Sequence, residues 1–144
     1  MPSAYVDTSA LAKWYVNESR SEDVEEYVRS VYPVYISLLT KIEMRSLAAR
    51  RAREGHINVV TQGKVIATFE GDIARGHLVL LPHTTESLLI AESLLGAHPE
   101  IPLRSLDAMH LGVMQAAGIT ALATADRVMA QAAEALGMEC ETFF

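Results

Sequence analysis

The sequence contains a single cysteine, Cys140, among 144 residues. One thiol cannot form an internal disulfide or a cysteine-based metal site, so neither can stabilise the fold. We expect Cys140 to be a small buried hydrophobic residue. Hydrophobic residues make up 50% of the chain, which suffices for the core of one domain over residues 1–144.

Long hydrophobic runs are also missing. No stretch approaches the roughly 18 consecutive apolar residues that a membrane span requires. The N-terminal residues lack the basic region and apolar segment of a secretory signal. We therefore expect no membrane association and a cytoplasmic location.

Basic residues are fewer than acidic ones. The chain has 12 Lys and Arg against 18 Asp and Glu, a formal net charge of −6 and a sequence pI of about 5.3. This sign argues against a protein that reads duplex DNA, unless several of the acids are neutralised in one metal site. Five basic residues share one predicted helix and form either a solvated face or a contact surface for RNA or a partner: Lys41, Arg45, Arg50, Arg51 and Arg53.

Strand-like and helix-like segments alternate along the chain. Short apolar runs predict strands at residues 3–7, 34–37, 77–81, 119–124 and 139–143. Helical spacing predicts helices at residues 9–16, 21–31, 38–53, 58–72, 84–97, 104–117 and 126–136. This alternation predicts an α/β fold, a three-layer α/β/α sandwich with a central, mostly parallel sheet of four to five strands.

Two acids follow predicted strands. Asp7 ends the stretch AYVD, and Asp126 follows Thr124 after the strand-like run ITALAT. Ligands of open parallel sheets collect at the carboxyl ends of the strands, which makes both acids candidates for chemistry. Each acid is also well placed to be the N-cap of the next helix.

Two more acids lie on inward helix faces. Glu43 has Leu39 and Leu47 four residues away on either side, and Asp107 lies between Leu103 and Leu111. Burying an unpaired carboxylate costs several kcal/mol. The helix N-terminus stabilises Asp107 by only roughly 0.3–1 kcal/mol, which is less than that cost. Asp107 therefore needs a cation, whereas Glu43 is either bound to a cation, paired, or extended towards solvent.

Together the four acids predict a metal site. Carboxylate oxygens suit hard cations, chiefly Mg²⁺ or Mn²⁺. A divalent ion lowers the pKa of bound water and shields a leaving oxygen, so phosphodiester hydrolysis is the expected reaction class. Ser9 and Thr124 either orient ligands or serve as turn and cap residues, and Arg104 either contacts RNA phosphate or pairs with an acid.

Other side chains are less informative. The five histidines never occur at the i, i+4 spacing of helical zinc sites. His110 lies one turn after Asp107, and we expect it to fill the core rather than hydrogen-bond in a cleft. Trp14 and Tyr15 are expected to be buried or to face a dimer partner rather than to stack on a base.

Four segments in order, YVDTSAL, SLLTKIEMRSL, LRSLDAMHL and LATADRVMAQAAEALG, resemble the PIN-domain ribonucleases, and within them the VapC toxins of toxin–antitoxin pairs. The likeness extends over essentially the whole chain. It implies that Asp7, Glu43, Asp107 and Asp126 form the metal-binding catalytic quartet of an endoribonuclease that depends on Mg²⁺ or Mn²⁺. It also implies a homodimer, an antitoxin whose C-terminal segment covers the active site, and a tRNA, ribosomal RNA or mRNA substrate.

Two alternatives use a similar scaffold. A phosphoryl-accepting receiver-like domain also places acids at strand ends, but it should carry an Asp after the third strand, and LVLLPH has none. A non-catalytic module that binds RNA or a protein partner would not need a metal ion.

Overall fold

Strands and helices alternate throughout residues 2–144, which the computed structural model describes. The strands are β1 (Ala4–Val6), β2 (Val34–Ser37), β3 (Leu78–Leu81), β4 (Ala121–Thr124) and β5 (Glu139–Thr142). The helices are α1 (Thr8–Tyr15), α2 (Ser21–Ser30), α3 (Leu38–Arg53), α4 (Val59–Ala74), α5 (Thr85–Ala97), α6 (Ser105–Ala116) and α7 (Arg127–Ala135). Every predicted element is present, and its ends differ from the prediction by two residues at most.

The strands form one sheet in the order β3-β2-β1-β4-β5, and each neighbouring pair is parallel. The predicted three-layer α/β/α sandwich is confirmed. Receiver-like domains have the order 2-1-3-4-5 instead. The observed order therefore excludes the receiver-like alternative.

Each face of the sheet is covered by its own hydrophobic cluster. Side chains of β1 alternate between the faces: Ala4 and Val6 join the cluster with α1 to α4, whereas Tyr5 joins the cluster with α5 to α7. This alternation places the Tyr5 hydroxyl beside α6. β1 is thus the central strand that both layers share.

Helices α5 and α6 pack with little space between them at Gly112. A Cβ atom built at this glycine would lie 2.3 Å from the carbonyl oxygen of Ser87 in α5. Only glycine permits this approach without displacement of one helix. The contact fixes the position of α6, which carries Asp107 and His110.

Several side-chain predictions can be compared with the structure. Cys140 is only half-buried against the second cluster, not buried as expected, because its strand β5 lies at the edge of the sheet. Desolvation, and to a smaller extent the nearby Glu134, raises the pKa of the thiol to about 11. Trp14 and Tyr15 pack against the first cluster, as expected, and Tyr15 donates its hydroxyl to Asp72 at 2.6 Å. Within residues 2–144, no helix is long and apolar enough to cross a membrane.

Candidate active site

All four predicted acids line one pocket of about 570 Å³. Asp7 follows β1, and Asp126 comes two residues after the end of β4. Glu43 comes from α3, and Asp107 from the first turn of α6. The carboxyl ends of two adjacent parallel strands and two helices therefore bring together acids that are up to 119 residues apart in sequence.

Asp7 is buried, with 4% of its surface exposed, and three groups donate to its carboxylate. Ser9 Oγ and the backbone N–H of Ala10 donate to Oδ1 at 2.7 and 3.1 Å, and Thr124 Oγ1 donates to Oδ2 at 2.6 Å. Burial raises the pKa of Asp7, and the hydrogen bonds from Thr124 and Ser9 offset part of that rise. Both predicted supporting residues thus contact this acid directly.

Glu43 is held through one of its two oxygens. Thr8 Oγ1 donates to Oε1 at 2.8 Å, and His110 Nε2 lies 2.5 Å from the same oxygen. Burial alone would raise the pKa of Glu43, but the hydrogen bond and charge of His110, together with Thr8, lower it. The Glu43 carboxylate is therefore held by two side chains of the protein, Thr8 and His110.

Arg104 links the other two acids. Its backbone N–H and its Nε lie 3.3 and 3.4 Å from Asp107 Oδ2, and its Nη2 lies 3.4 Å from Asp126 Oδ2. Its side chain is 76% exposed, so the contacts lie at the rim of the pocket. The ion pair with acids, one of the two alternatives for Arg104, is present in the structure.

The acids that follow strands also cap the next helices, as their positions in the sequence predict. Asp7 accepts from Ala10 at the start of α1, and Asp126 accepts from Val128 and Met129 at the start of α7. Both helix N-termini therefore direct partial positive charge at the acids. Capping and a place in the pocket are compatible, because a carboxylate has several lone pairs.

The four carboxylates do not form a preformed metal-binding site in this structure. In the part of the chain that the structure describes, no three His, Cys, Asp or Glu side chains are grouped so that they could hold a metal ion. The donor chemistry fits a hard divalent cation, because all four acids offer only oxygen. In this structure the positive charge beside Asp107 and Asp126 comes from Arg104.

Sequence reasoning missed part of the pocket. His110 is buried, as expected, but it also bonds Glu43 and is more than core filling. Thr8, which was not predicted, lines the pocket as well, and so does Arg50, one of the five basic residues of the predicted helix. Spacing along the helices could have indicated two of these residues. His110 follows Asp107 by three residues and Arg50 follows Glu43 by seven, so each lies on the same helix face as a pocket acid.

The other basic residues of α3 are largely paired. Lys41 and Arg45 lie within 3.8 Å of Glu70, and Arg51 lies 2.9 Å from Glu18. Arg50 is the basic residue of this helix that lines the pocket. The basic cluster is therefore split between surface ion pairs and the pocket wall.

Known proteins resemble the chain over nearly its whole length. Residues 4–135 match the PIN domain. The chain belongs to the PIN-domain family. Ribonuclease VapC46 of Mycobacterium tuberculosis is a relative that is 34% identical over an alignment of 146 positions, and the alignment covers 96% of this chain and 95% of the relative. The predicted resemblance to PIN domains of the VapC type is confirmed.

Solved structures show the same PIN fold. The crystal structure of M. tuberculosis VapC20, a toxin that cleaves the sarcin–ricin loop, matches with a TM-score of 0.74 and 20% identity over 94% of this chain and 95% of that one. DNA-bound VapBC from Salmonella typhimurium matches with a TM-score of 0.69 and 18% identity over 100% of both chains. At these identities the likeness establishes the PIN fold alone.

Proposed function

We propose that this PIN-domain protein is an endoribonuclease toxin that hydrolyses RNA phosphodiester bonds with Mg²⁺ or Mn²⁺. The observation that carries this proposal is the convergence of Asp7, Glu43, Asp107 and Asp126 on one pocket. The 34% identical relative that is named a ribonuclease supports the same reaction.

The four acids would hold the cation. When bound, a divalent ion lowers the pKa of water and stabilises negative charge on the phosphate and the leaving oxygen. The protein supplies the orientation: Ser9 and Thr124 fix the carboxylate of Asp7, and Thr8 fixes that of Glu43. Fixed carboxylates cost no reorganisation when the reaction begins.

Arg104 and Arg50 are the guanidinium groups at this pocket. Guanidinium groups bind phosphate oxygens in a planar, two-pronged geometry. Arg104 would exchange its carboxylate partners for an RNA phosphate when the cation binds. With a net charge of −6, local cations of this kind have to supply the attraction for RNA.

The biological setting is a toxin–antitoxin pair. Complexes of VapB with VapC are among the structural neighbours, which supports a cognate antitoxin as protein partner. The RNA substrate is a tRNA, a ribosomal RNA or an mRNA, and the active protein is a homodimer. Size-exclusion chromatography with light scattering tests the homodimer.

The decisive experiment compares RNA cleavage by the wild type, Asp107→Asn and Glu92→Gln, with Mg²⁺ or Mn²⁺ and with EDTA. Asp107→Asn removes a pocket carboxylate, and we expect cleavage to fall by at least about 100-fold. Glu92 is an exposed acid of α5 outside the pocket and serves as the matched control. Unchanged cleavage by Asp107→Asn, or full cleavage in EDTA, would contradict the proposal.

A non-catalytic binding module remains the second candidate, because residues 2–144 show no three-ligand cluster that could hold an ion. A Mn²⁺ titration followed by thermal unfolding separates the two candidates, since a ligand of the native state raises the unfolding temperature. A rise that disappears in Glu43→Gln supports the enzyme. No effect of Mn²⁺ on any variant supports the binding module.

A further inference from the structure

A chain of hydrogen bonds runs from the pocket into the protein interior. Glu43 Oε1 lies 2.5 Å from His110 Nε2, and His110 Nδ1 lies 2.5 Å from the Tyr5 hydroxyl. Tyr5 donates to Ser37 Oγ at 2.9 Å, and Ser37 Oγ lies 3.0 Å from His83 Nε2. The chain therefore connects one pocket acid to the loop between β3 and α5.

The middle of this chain is shielded from solvent. Tyr5 and Ser37 are fully buried, and His110 is 3% exposed. The edge of the His110 ring also meets the Tyr5 ring at a centroid distance of 5.6 Å. Buried polar groups are costly unless they are hydrogen-bonded, and a fully bonded network holds its members in one arrangement. Apolar side chains would fill the same space, so packing alone does not account for these groups.

The direction of the hydrogen bonds can be assigned at the two ends of the chain, His83 and Glu43. The backbone N–H of Leu39 donates to His83 Nε2 at 3.3 Å, so this ring nitrogen is an acceptor, and Ser37 donates to it. Tyr5 donates to Ser37, and its oxygen lies 2.5 Å from His110 Nδ1. His110 Nε2 donates to Glu43, because an ionised carboxylate can only accept a hydrogen bond.

Glu43 is thereby fixed asymmetrically. His110 and Thr8 both engage Oε1. Among residues 2–144, Oε2 has no hydrogen-bond partner, which leaves it available to a ligand in the pocket. An outer group that holds one oxygen of a carboxylate ligand orients the other, and removal of such groups typically costs 10- to 100-fold in metal affinity.

We propose that His110 is a positioning residue that presents Glu43 Oε2 to the divalent cation, and that Tyr5 and Ser37 hold the imidazole of His110 in place. The inference rests on the proposed function, because it assigns Glu43 as a ligand. It adds a specific route by which the packing of β1 against α6 determines the geometry of a pocket acid.

Two substitutions of His110 separate positioning from packing. The amide of Gln can occupy the place of Nε2 and donate to Glu43, whereas the shorter Asn reaches only the place of Nδ1. We expect His110→Asn to weaken Mn²⁺ binding, measured by calorimetry on the full chain, by about 10- to 100-fold. His110→Gln should recover most of that loss and stay within about tenfold of the wild type.

A tyrosine pair supplies the matched control. Tyr5→Phe removes the hydroxyl that orients His110, and we expect weaker Mn²⁺ binding with a smaller loss than in His110→Asn. Tyr15→Phe also removes a hydroxyl that is bonded to a buried acid, Asp72, but outside the pocket, and should bind Mn²⁺ as the wild type does. In RNA cleavage, His110→Asn should lower kcat and leave KM for RNA unchanged, a split that a loss of packing would not produce.

The outcomes are distinct. Wild-type Mn²⁺ affinity in folded His110→Asn overturns the inference, and if that variant does not fold, wild-type affinity in Tyr5→Phe overturns it. Equal losses in the Asn and Gln variants also overturn it, since they indicate packing. If the wild type binds no Mn²⁺, or if Asp107→Asn binds it normally, the proposed function itself fails. If Asp107→Asn abolishes binding while His110→Asn does not weaken it, the positioning role alone fails.

Discussion

Thr124 donates its hydroxyl to the carboxylate of Asp7 at 2.6 Å, across 117 residues of sequence. The bond joins the carboxyl ends of two adjacent parallel strands, β4 and β1. Both residues are buried, with 0% and 4% of their surfaces exposed. A buried carboxylate that loses a donor keeps its full desolvation cost, so this single bond affects both stability and the pocket.

The first prediction concerns this bond. Thr124→Val keeps the side-chain shape but removes the donor, and we expect the free energy of unfolding to fall by about 1–3 kcal/mol. Mn²⁺ affinity should fall by about tenfold, because Asp7 is less firmly oriented. Urea unfolding and calorimetry measure the two quantities. Thr120→Val, at an exposed position before the same strand, is the control and should change neither. A Thr124→Val protein with wild-type affinity would contradict the orienting role.

The second prediction concerns Arg104. Because the side chain is 76% exposed, its ion pairs contribute little to stability, and Arg104→Gln should change the free energy of unfolding by less than about 1 kcal/mol. Its phosphate contact should matter more: we expect KM for RNA to rise and the slope of log affinity against log salt to become shallower by about one. Cleavage assays over a salt series measure both. The exposed Arg53→Gln is the control, and an equal effect there would mean that only net charge matters.

The third prediction is a pH dependence. The pKa of Asp7 is raised in the folded chain above its ordinary value of 3.8, so the unfolded chain releases this proton at lower pH. Without metal, the contribution of Asp7 to stability is therefore favourable below pH 3.8 and is lost as the pH rises through the raised folded value. Asp7→Asn removes this loss, and in EDTA it should be more stable than the wild type at pH 7.

Urea unfolding in EDTA from pH 3 to pH 8 checks the sign of this effect. The advantage of Asp7→Asn should shrink as the pH falls towards 3.8. The lowered pKa of Glu43 acts in the opposite direction, with stability lost as the pH falls below 4.5. Comparison with Glu43→Gln separates the two contributions. An Asp7→Asn advantage that grows in acid would refute the assignment.

The fourth prediction tests the contact between α5 and α6. Gly112→Ala forces a Cβ atom against the Ser87 carbonyl, and we expect a loss of about 1–3 kcal/mol in the free energy of unfolding. The shift of α6 should also weaken Mn²⁺ binding, since Asp107 and His110 move with it. Gly63→Ala lies inside α4 with no atom within 4 Å of the added Cβ and should instead stabilise by about 0.5–1 kcal/mol.

Much of this architecture is predictable from local patterns. Apolar runs of strand length alternate with helical spacing, and Asp7 and Asp126 follow strands that parallel pairing places side by side. The buried positions of Leu111 and Asp107 follow from one helical stripe. These features depend on periodicity, which is a property of sequence alone.

The contacts of Arg104 and His110 could not be predicted in the same way. Whether Arg104 turns to Asp107, to Asp126 or to solvent depends on how α6 and α7 are placed relative to each other. The bond from His110 to Glu43 joins residues 67 positions apart, and it requires the side of α6 to face α3. Such pairings are set by tertiary packing: spacing along one segment indicates which side chains share a helix face, but not which residue of another helix they contact.

Asp7 and Asp126 both line the pocket and cap a helix, and this affects the choice of an inactive variant for trapping an intact RNA complex. Replacing either one with alanine removes the acceptor that completes the first turn of α1 or α7, so loss of catalysis and loss of stability could not be told apart in a growth assay. Glu43 lies in the second turn of α3 and completes no helix end. Glu43→Gln keeps a carbonyl oxygen for Thr8 and His110, and it is the substitution of choice for such a complex.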